Sequence, residues 1–211
     1  TASKIISDKQ IQKLFPVLHK ATNSLASRQI RHMATVGGNL CTASPSGDIS
    51  CALMALEAEC EILAANGKMR TVPIIEFFTD VRKSVLQKDE ILQSILIHSR
   101  NAHPAFSDFI KIGTRRSMEC SVISLAYHIQ VDENDKIIHA GIAIGSVAPT
   151  IRFVKSACDY LIGKEFHGLS ETEKEKFAYK ILEYASPISD IRASAWYRKE
   201  VLFNISKSIF E

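Results

Sequence analysis

The sequence has no apolar run approaching the roughly 18 residues that a membrane-spanning helix needs. The longest candidates are interrupted by His128 and by the Gly and Pro residues of stretch 140–149, so no spanning segment is expected. Excess charge of one sign is also missing. Lys and Arg total 26 against 23 Asp and Glu, and a net charge of +3 is too small to imply a nucleic-acid or membrane partner. The basic pairs Arg82-Lys83 and Arg115-Arg116 stand outside any longer run interleaved with aromatics. The five cysteines, Cys41, Cys51, Cys60, Cys120 and Cys158, are odd in number and include no C-x-x-C pair. That argues against a disulfide framework and against a zinc or iron–sulfur site in this chain, and reduced thiols in a cytoplasmic protein are expected. No two of the seven histidines stand at a metal-ligand spacing joined to a carboxylate, so a catalytic metal is not expected either. Repeats and low-complexity segments are absent. The opening TASKIISDKQ has neither an initiator Met nor an apolar signal core, as in a fragment or a processed chain.

What is present fits one large globular domain or two small ones: 211 residues, 46% hydrophobic and 23% charged. Ser7 followed by Gln10 reads as a capping box, and Ile11, Leu14, Phe15 and Leu18 recur at helical spacing, predicting a first helix over 8–22. Residues 49–58, ISCALMALEA, predict a short buried helix with Asp48 at its N-cap. Asn66-Gly67 between the strand-like runs 60–65 and 68–72 is a hairpin signal. Strands are expected at 91–97 and 106–112, with a domain boundary in the polar loop HSRNAHP, residues 98–104, dividing the chain into 1–100 and 101–211. Beyond it, strands at 122–131 and 136–144 are joined by the turn residues DEND. Helices follow, one starting at Ser170-x-x-Glu173 and one over 192–209 with Val201, Ile205 and Ile209 on one face. Trp196 and Tyr197 are expected in the core, and Asp190 and Arg192 as a structural pair at the start of that last helix. The order is α+β, not alternating βαβ, and a doubly wound dinucleotide fold is disfavoured because G-x-G-x-x-G is missing.

Chemistry concentrates in residues 33–48, MATVGGNLCTASPSGD, expected to be a loop between two helical stretches. Adjacent glycines are entropically costly and are kept where the backbone takes φ > 0 or passes close to another group. Gly37 and Gly38 would let amide groups reach phosphate or ribityl oxygens, flanked by the hydroxyl of Thr35 and the amide of Asn39. Thr42, Ser44 and Ser46 would continue a polar wall, and Asp48 would accept from sugar hydroxyls. The same residues also read as a tight turn with a satisfied Asn39 and an N-cap at Asp48.

The run SRQIRHMATVGGNLCTASPSGD, residues 27–48, closely resembles a motif of the FAD-binding subunit or domain of the molybdenum hydroxylases, the family of xanthine dehydrogenase and carbon monoxide dehydrogenase. DEILQSILI at 89–97, FIKIGTRRS at 109–117 and SDIRASAWYRKEVL at 189–202 keep the family's order, so the resemblance covers nearly the whole chain. It implies part of a vanillyl-alcohol-oxidase-like FAD-binding subdomain, then an antiparallel sheet with C-terminal helices. It further implies FAD on this chain, with the molybdenum cofactor and the iron–sulfur clusters on partner subunits, and electrons delivered to NAD or a quinone. A purine or other N-heterocycle is the implied substrate class of the complex. Carried over by position, Thr35, Gly38 and Asn39 match residues that hold the pyrophosphate and ribityl region, while Gly37 and Thr42 join the candidate site on the residue reading alone. Asp48 lies at the ribityl side, Leu92 packs on the flavin, and Lys111 lies near the isoalloxazine ring. On the residues alone, Lys111 reads equally as a solvated strand face and Leu92 as core. Arg115 and Arg116 read as an acceptor's entry or as surface charge. The family's upstream glycine loop has no counterpart here, so a partial flavin site is expected, completed by an N-terminal segment that was truncated, cleaved or is a separate chain. The alternative is a cofactor-free domain of the same fold that docks onto partner subunits.

Overall fold

The computed structural model describes residues 1–98, 104–115 and 118–211. Three short helices open the chain: α1 (Ala2–Ser7), α2 (Lys9–Leu14) and α3 (Pro16–Asn23). The single helix expected over 8–22 is therefore broken at Phe15. Pro16 has no amide hydrogen to give to a preceding turn, and it starts a new helix at its first position. Ser7 does not cap; the Asp8 carboxylate does, accepting from the amides of Gln10 at 2.8 Å and Ile11 at 3.1 Å.

Helix α4 (Arg28–Met33) is followed by α5 (Val36–Cys41), which lies where a loop was expected, and by α6 (Asp48–Ala55). All eight residues of α6 are buried, as its apolar sequence requires, but its N-cap is Gly47 and Asp48 is its first helical residue. The Asn66-Gly67 hairpin forms as expected between β1 (Glu59–Ala64) and β2 (Met69–Pro73), with Gly67 at φ +80°. A one-turn helix α7 (Ile74–Phe77) and the short pair β3 (Phe78–Asp80) and β4 (Lys83–Ser84) lead to β5 (Glu90–Leu96), which completes the sheet β2-β1-β5.

The second sheet runs β6-β7-β8-β9, all antiparallel, from β6 (Ala105–Ile112), β7 (Ile123–Val131), β8 (Ile137–Gly145) and β9 (Arg152–Phe153). Period-2 alternation divides its side chains between two cores: Phe109, Ala126 and Ala143 face α3 and α6, while Ile110, Leu125 and Ile144 face the C-terminal helices. Those helices are α8 (Lys155–Leu161), α9 (Glu171–Leu182) and α10 (Ala195–Lys207). Ser170 and Glu173 make the expected reciprocal capping box. The expected apolar face of α10 forms, with Val201 and Ile205 packed on the C-terminal core beside the buried Arg198, Leu202 and Ser206, and Ile209 buried just beyond the helix. One expectation fails: Trp196 is 70% exposed beside an exposed Tyr197. The Arg198 guanidinium takes the inward face at the first turn, which rotates Trp196 to solvent. Asp190 and Arg192 do pair, at 3.3 Å, but the helix starts after them, capped by Ser194. The proposed domain boundary at 98–104 falls largely on residues 99–103, outside the described residues. No described helix is long and apolar enough to cross a membrane.

The first sheet is pinned by an ion pair with a measurable consequence. The Arg70 guanidinium forks onto Glu90, with Nε and Nη2 each at 2.8 Å, and holds its carboxyl down at about 2 against an ordinary 4.5. A carboxyl depressed on folding stabilises the protein above its unfolded pKa, and that stability is lost as pH falls through the folded value. Thermal melts stepped from pH 4.5 down to about 2 should therefore lose a steep component in Arg70→Met; an unchanged slope would assign the acid limb elsewhere.

Candidate functional site

The double glycine sits inside a helix, not in a left-handed turn. Among the described glycines only Gly67 and Gly163 have positive φ. The entropic cost at positions 37 and 38 is met by a different need, absence of a side chain. Thr35 caps α5 by accepting from the Gly38 amide at 2.9 Å, and a Cβ on Gly38 would lie 2.9 Å from that same hydroxyl oxygen. A Cβ on Gly37 would meet only Leu92, at 4.0 Å. The first-turn amides of Val36 and Gly37 have no acceptor within the helix. They lie directly between the exposed Thr35 and the exposed Gly38.

Asn39 is fixed from the next helix. Its Oδ1 accepts from the Ser50 amide at 3.1 Å and the Ser50 hydroxyl at 2.9 Å, which leaves the side-chain NH2 as a donor pair. Thr42 turns its hydroxyl back onto the Gly38 carbonyl at 2.7 Å. Leu92 projects from β5 over Gly37, and the two share an apolar cavity of about 430 Å3 with Phe15, Leu18, Val36 and Ile95. This donor set fits a phosphate-bearing ligand with a ring system: backbone and amide N–H groups on one side, an apolar slot on the other.

Asp48 and Lys111, assigned separately to the ribityl side and the ring, are each other's partner. Lys111 Nζ donates to Asp48 Oδ2 at 2.6 Å and to the Ser24 carbonyl at 3.2 Å, and Ser121 Oγ donates to Asp48 Oδ1 at 2.7 Å. Asp48 is 2% exposed. Burial pushes its carboxyl up from the ordinary value, opposed by the charge of Lys111 and the hydrogen bonds from Lys111 and Ser121. Lys111 does point away from Ile110 and Ile112 as alternation requires, but into the protein and not onto a solvated face.

The predicted residues thus form two clusters, α5 with Leu92 and the Asp48–Lys111 pair, joined through the first turn of α6 by the Asn39–Ser50 bonds. Asp48 lines a cavity of about 460 Å3 with Leu25, Ile30, Ser46 and Arg115, and Lys111 lines one of about 760 Å3 with Arg28, Arg31 and Arg115. Ser50 and Ser121 are the residues that sequence reasoning missed. Their roles arise from tertiary approach, and no local spacing marks them. The three buried thiols stay out of the chemistry: burial raises Cys51, Cys60 and Cys158 to about 12, far from a nucleophile's range. Among the described residues no group of three or more His, Cys, Asp or Glu could hold a metal ion.

Two family models match the sequence. Residues 1–98 match the FAD binding domain in molybdopterin dehydrogenase, and residues 108–211 match the CO dehydrogenase flavoprotein C-terminal domain. The chain is similar to the xanthine dehydrogenase FAD-binding subunit of Escherichia coli O157:H7, 30% identical over 211 residues, covering 99% of this chain and 70% of that protein. It is also 29% identical over 196 residues to the nicotinate dehydrogenase FAD-subunit of Eubacterium barkeri, covering 92% of this chain and 64% of that one. In fold it superposes with TM-score 0.90 on a chain of the carbon monoxide dehydrogenase of Hydrogenophaga pseudoflava, at 24% identity, over 98% of this chain and 70% of the other.

Proposed function

Because the chain belongs to the FAD-binding subunits of the molybdopterin dehydrogenases, the molybdenum hydroxylase family, we propose that it is the flavin relay of a larger assembly. FAD held here would supply the redox chemistry, a link between iron–sulfur clusters on one partner subunit, fed by a molybdenum cofactor on another, and an acceptor such as NAD or a quinone. A purine or other N-heterocycle is oxidised by the partner, in the cytoplasm, where the five free thiols stay reduced.

This chain's residues bind and orient. The amides of Val36 and Gly37, the Thr35 hydroxyl proton and the Asn39 NH2 are the donors offered to pyrophosphate oxygens. Gly37 and Gly38 keep that approach open, and Leu92 with the slot beside it excludes water from an apolar ring. Thr42 offers its remaining lone pairs at the end of α5. Asp48 still has acceptor sites beyond those used by Lys111 and Ser121, and these suit a sugar hydroxyl. Lys111 holds the carboxylate by Oδ2 and places one positive charge beside it.

The observation that carries this reading is the open backbone at Gly37, and it gives a test with two signs. Ala at position 37 meets only an ordinary contact with Leu92 and removes a helical glycine, so FAD-free stability should rise by about 0.5–1 kcal/mol. The same methyl points at Leu92 and into the slot assigned to the ring, so FAD affinity should fall on the order of tenfold, about 1.4 kcal/mol. Urea melts and an FAD titration of Gly37→Ala read both. A stabilised variant that binds FAD as the parent does would remove α5 from the site. The visible absorption of the natively purified complex tests the wider reading, since a colourless preparation that takes up no added FAD would favour a cofactor-free docking domain.

A further inference from the structure

The stretch SDIRASAWYRKEVL is not used by the flavin contacts above, yet its one buried charge reaches them. Arg198, on the first turn of α10, is 4% exposed. Its Nη1 donates to the carbonyls of Val122 at 2.5 Å and Ser146 at 2.8 Å, and its Nη2 donates to Asp190 Oδ1 at 2.9 Å. Both carbonyls belong to the backbone that holds the segment 44–48. Ser121, next to Val122, is the hydroxyl on Asp48. Ser146 donates its amide to the Pro45 carbonyl at 2.7 Å, and it does so from a left-handed conformation, φ +65°, that a non-glycine residue adopts only when its surroundings impose it. Gly145 beside it is packed on two sides, since a Cβ there would press first on the Ser124 hydroxyl and would lie 3.2 Å from the Pro45 carbonyl oxygen. One guanidinium nitrogen therefore ties together the two points that fix Pro45 and Asp48.

We propose that Arg198 is a positioning residue of the flavin site: from the C-terminal helix it fixes, through Val122 and Ser146, the segment that presents Asp48 to the ligand. The inference rests on the assignment of Asp48 to that site. A fork of five donors suits the task, because two carbonyls and a carboxylate must be held at fixed angles at once. Asp190 completes the device. It accepts from the amides of Arg192 and Ala193 and from Arg198, and its carboxyl is held down at about 2, chiefly by the backbone hydrogen bond from Arg192. The guanidinium is thereby anchored to the turn that starts its own helix.

The test compares Arg198→Met, Arg198→Lys and the exposed neighbour Lys199→Met in the native assembly, by FAD titration, by visible circular dichroism of the bound flavin, and by thermal unfolding of the FAD-free protein. Outer-shell partners of metal ligands change affinity by about 10–100-fold, and a supporting contact at this site is expected to act on a similar scale. Arg198→Met should show a loss of about that size with an altered flavin dichroism, Arg198→Lys should recover part of both, and Lys199→Met should match the parent. A purely structural arginine would lower the melting temperature and leave affinity and dichroism at parental values, which overturns the proposal. Should Arg198→Met not fold, Arg198→Lys decides by the same two readouts. A parent that takes up no FAD overturns the flavin reading itself, whereas a parent that binds FAD alongside unaffected variants overturns this proposal alone.

Discussion

Replacing Lys111 with methionine should destabilise the protein at neutral pH by about 3–5 kcal/mol, the usual cost of removing one partner from a buried ion pair. The reason is the charge left behind more than the bond lost. Asp48 is 2% exposed and carries a carboxyl already raised by burial, with Lys111 supplying the opposing charge and one of the two side-chain hydrogen bonds. Without the ammonium, only the Ser121 hydroxyl remains, and the carboxyl must either stay charged in a poor solvent or take up a proton. The sign of the pH dependence follows. A carboxyl whose folded pKa lies above its unfolded value makes the folded state bind more protons, so stability falls as pH rises from the ordinary 3.8 through the folded value. The deficit of Lys111→Met should therefore shrink on acidification from pH 7 toward pH 5, and Lys111→Met combined with Asp48→Asn should regain most of the loss at neutral pH. Urea melts of both variants at the two pH values measure this. A deficit that is the same at both, or a double variant no better than the single one, would mean that the pair is not a coupled buried unit. The double variant also separates the two roles of these residues, since it restores the fold while removing the groups that would face the ligand.

That pair marks where sequence reading stops. Alternation correctly turned Lys111 away from Ile110 and Ile112, and the polar composition of 33–48 drew attention to Asp48, but neither pattern says that two residues 63 positions apart meet. Strands and helices with strong local signals were legible: the Asn66-Gly67 hairpin, the apolar α6 and the Ser170–Glu173 box all form. The weak places were those where one local signal competed with another. Pro16 split a helix whose apolar spacing ran on through it, and the glycine pair, read as a loop, is helical because Thr35 caps it and α6 packs behind it through Asn39 and Ser50. Trp196 was assigned inward by residue type, but the buried Arg198 claimed the inner face of α10 by its three acceptors, a tertiary fact with no trace in spacing.

The other large effect is expected at Gly141, far from any residue of the candidate site by sequence and joined to it by one helix. On β8, a Cβ at this position would lie 2.0 Å from the carbonyl oxygen of Ala55, the last residue of α6. The obstacle is backbone, so no rotamer change relieves it, and α6 must lift from the sheet. Overpacking of this kind costs about 1–3 kcal/mol in a tight core, and Gly141→Ala should fall at the upper end because α6 is buried along its whole length and has no free side on which to yield. The displacement does not stop at Ala55. The opposite end of the same two-turn helix carries Asp48 and Ser50, which hold Lys111 and Asn39, so a rigid shift loosens both clusters together. Gly141→Ala should consequently lose FAD affinity as well as stability, whereas Gly37→Ala loses affinity while gaining stability. Urea melts and FAD titrations of the two variants place them in opposite quadrants if α6 is the rigid link between the clusters. A Gly141→Ala protein that is destabilised yet binds FAD with parental affinity would show that the clusters keep their geometry without it.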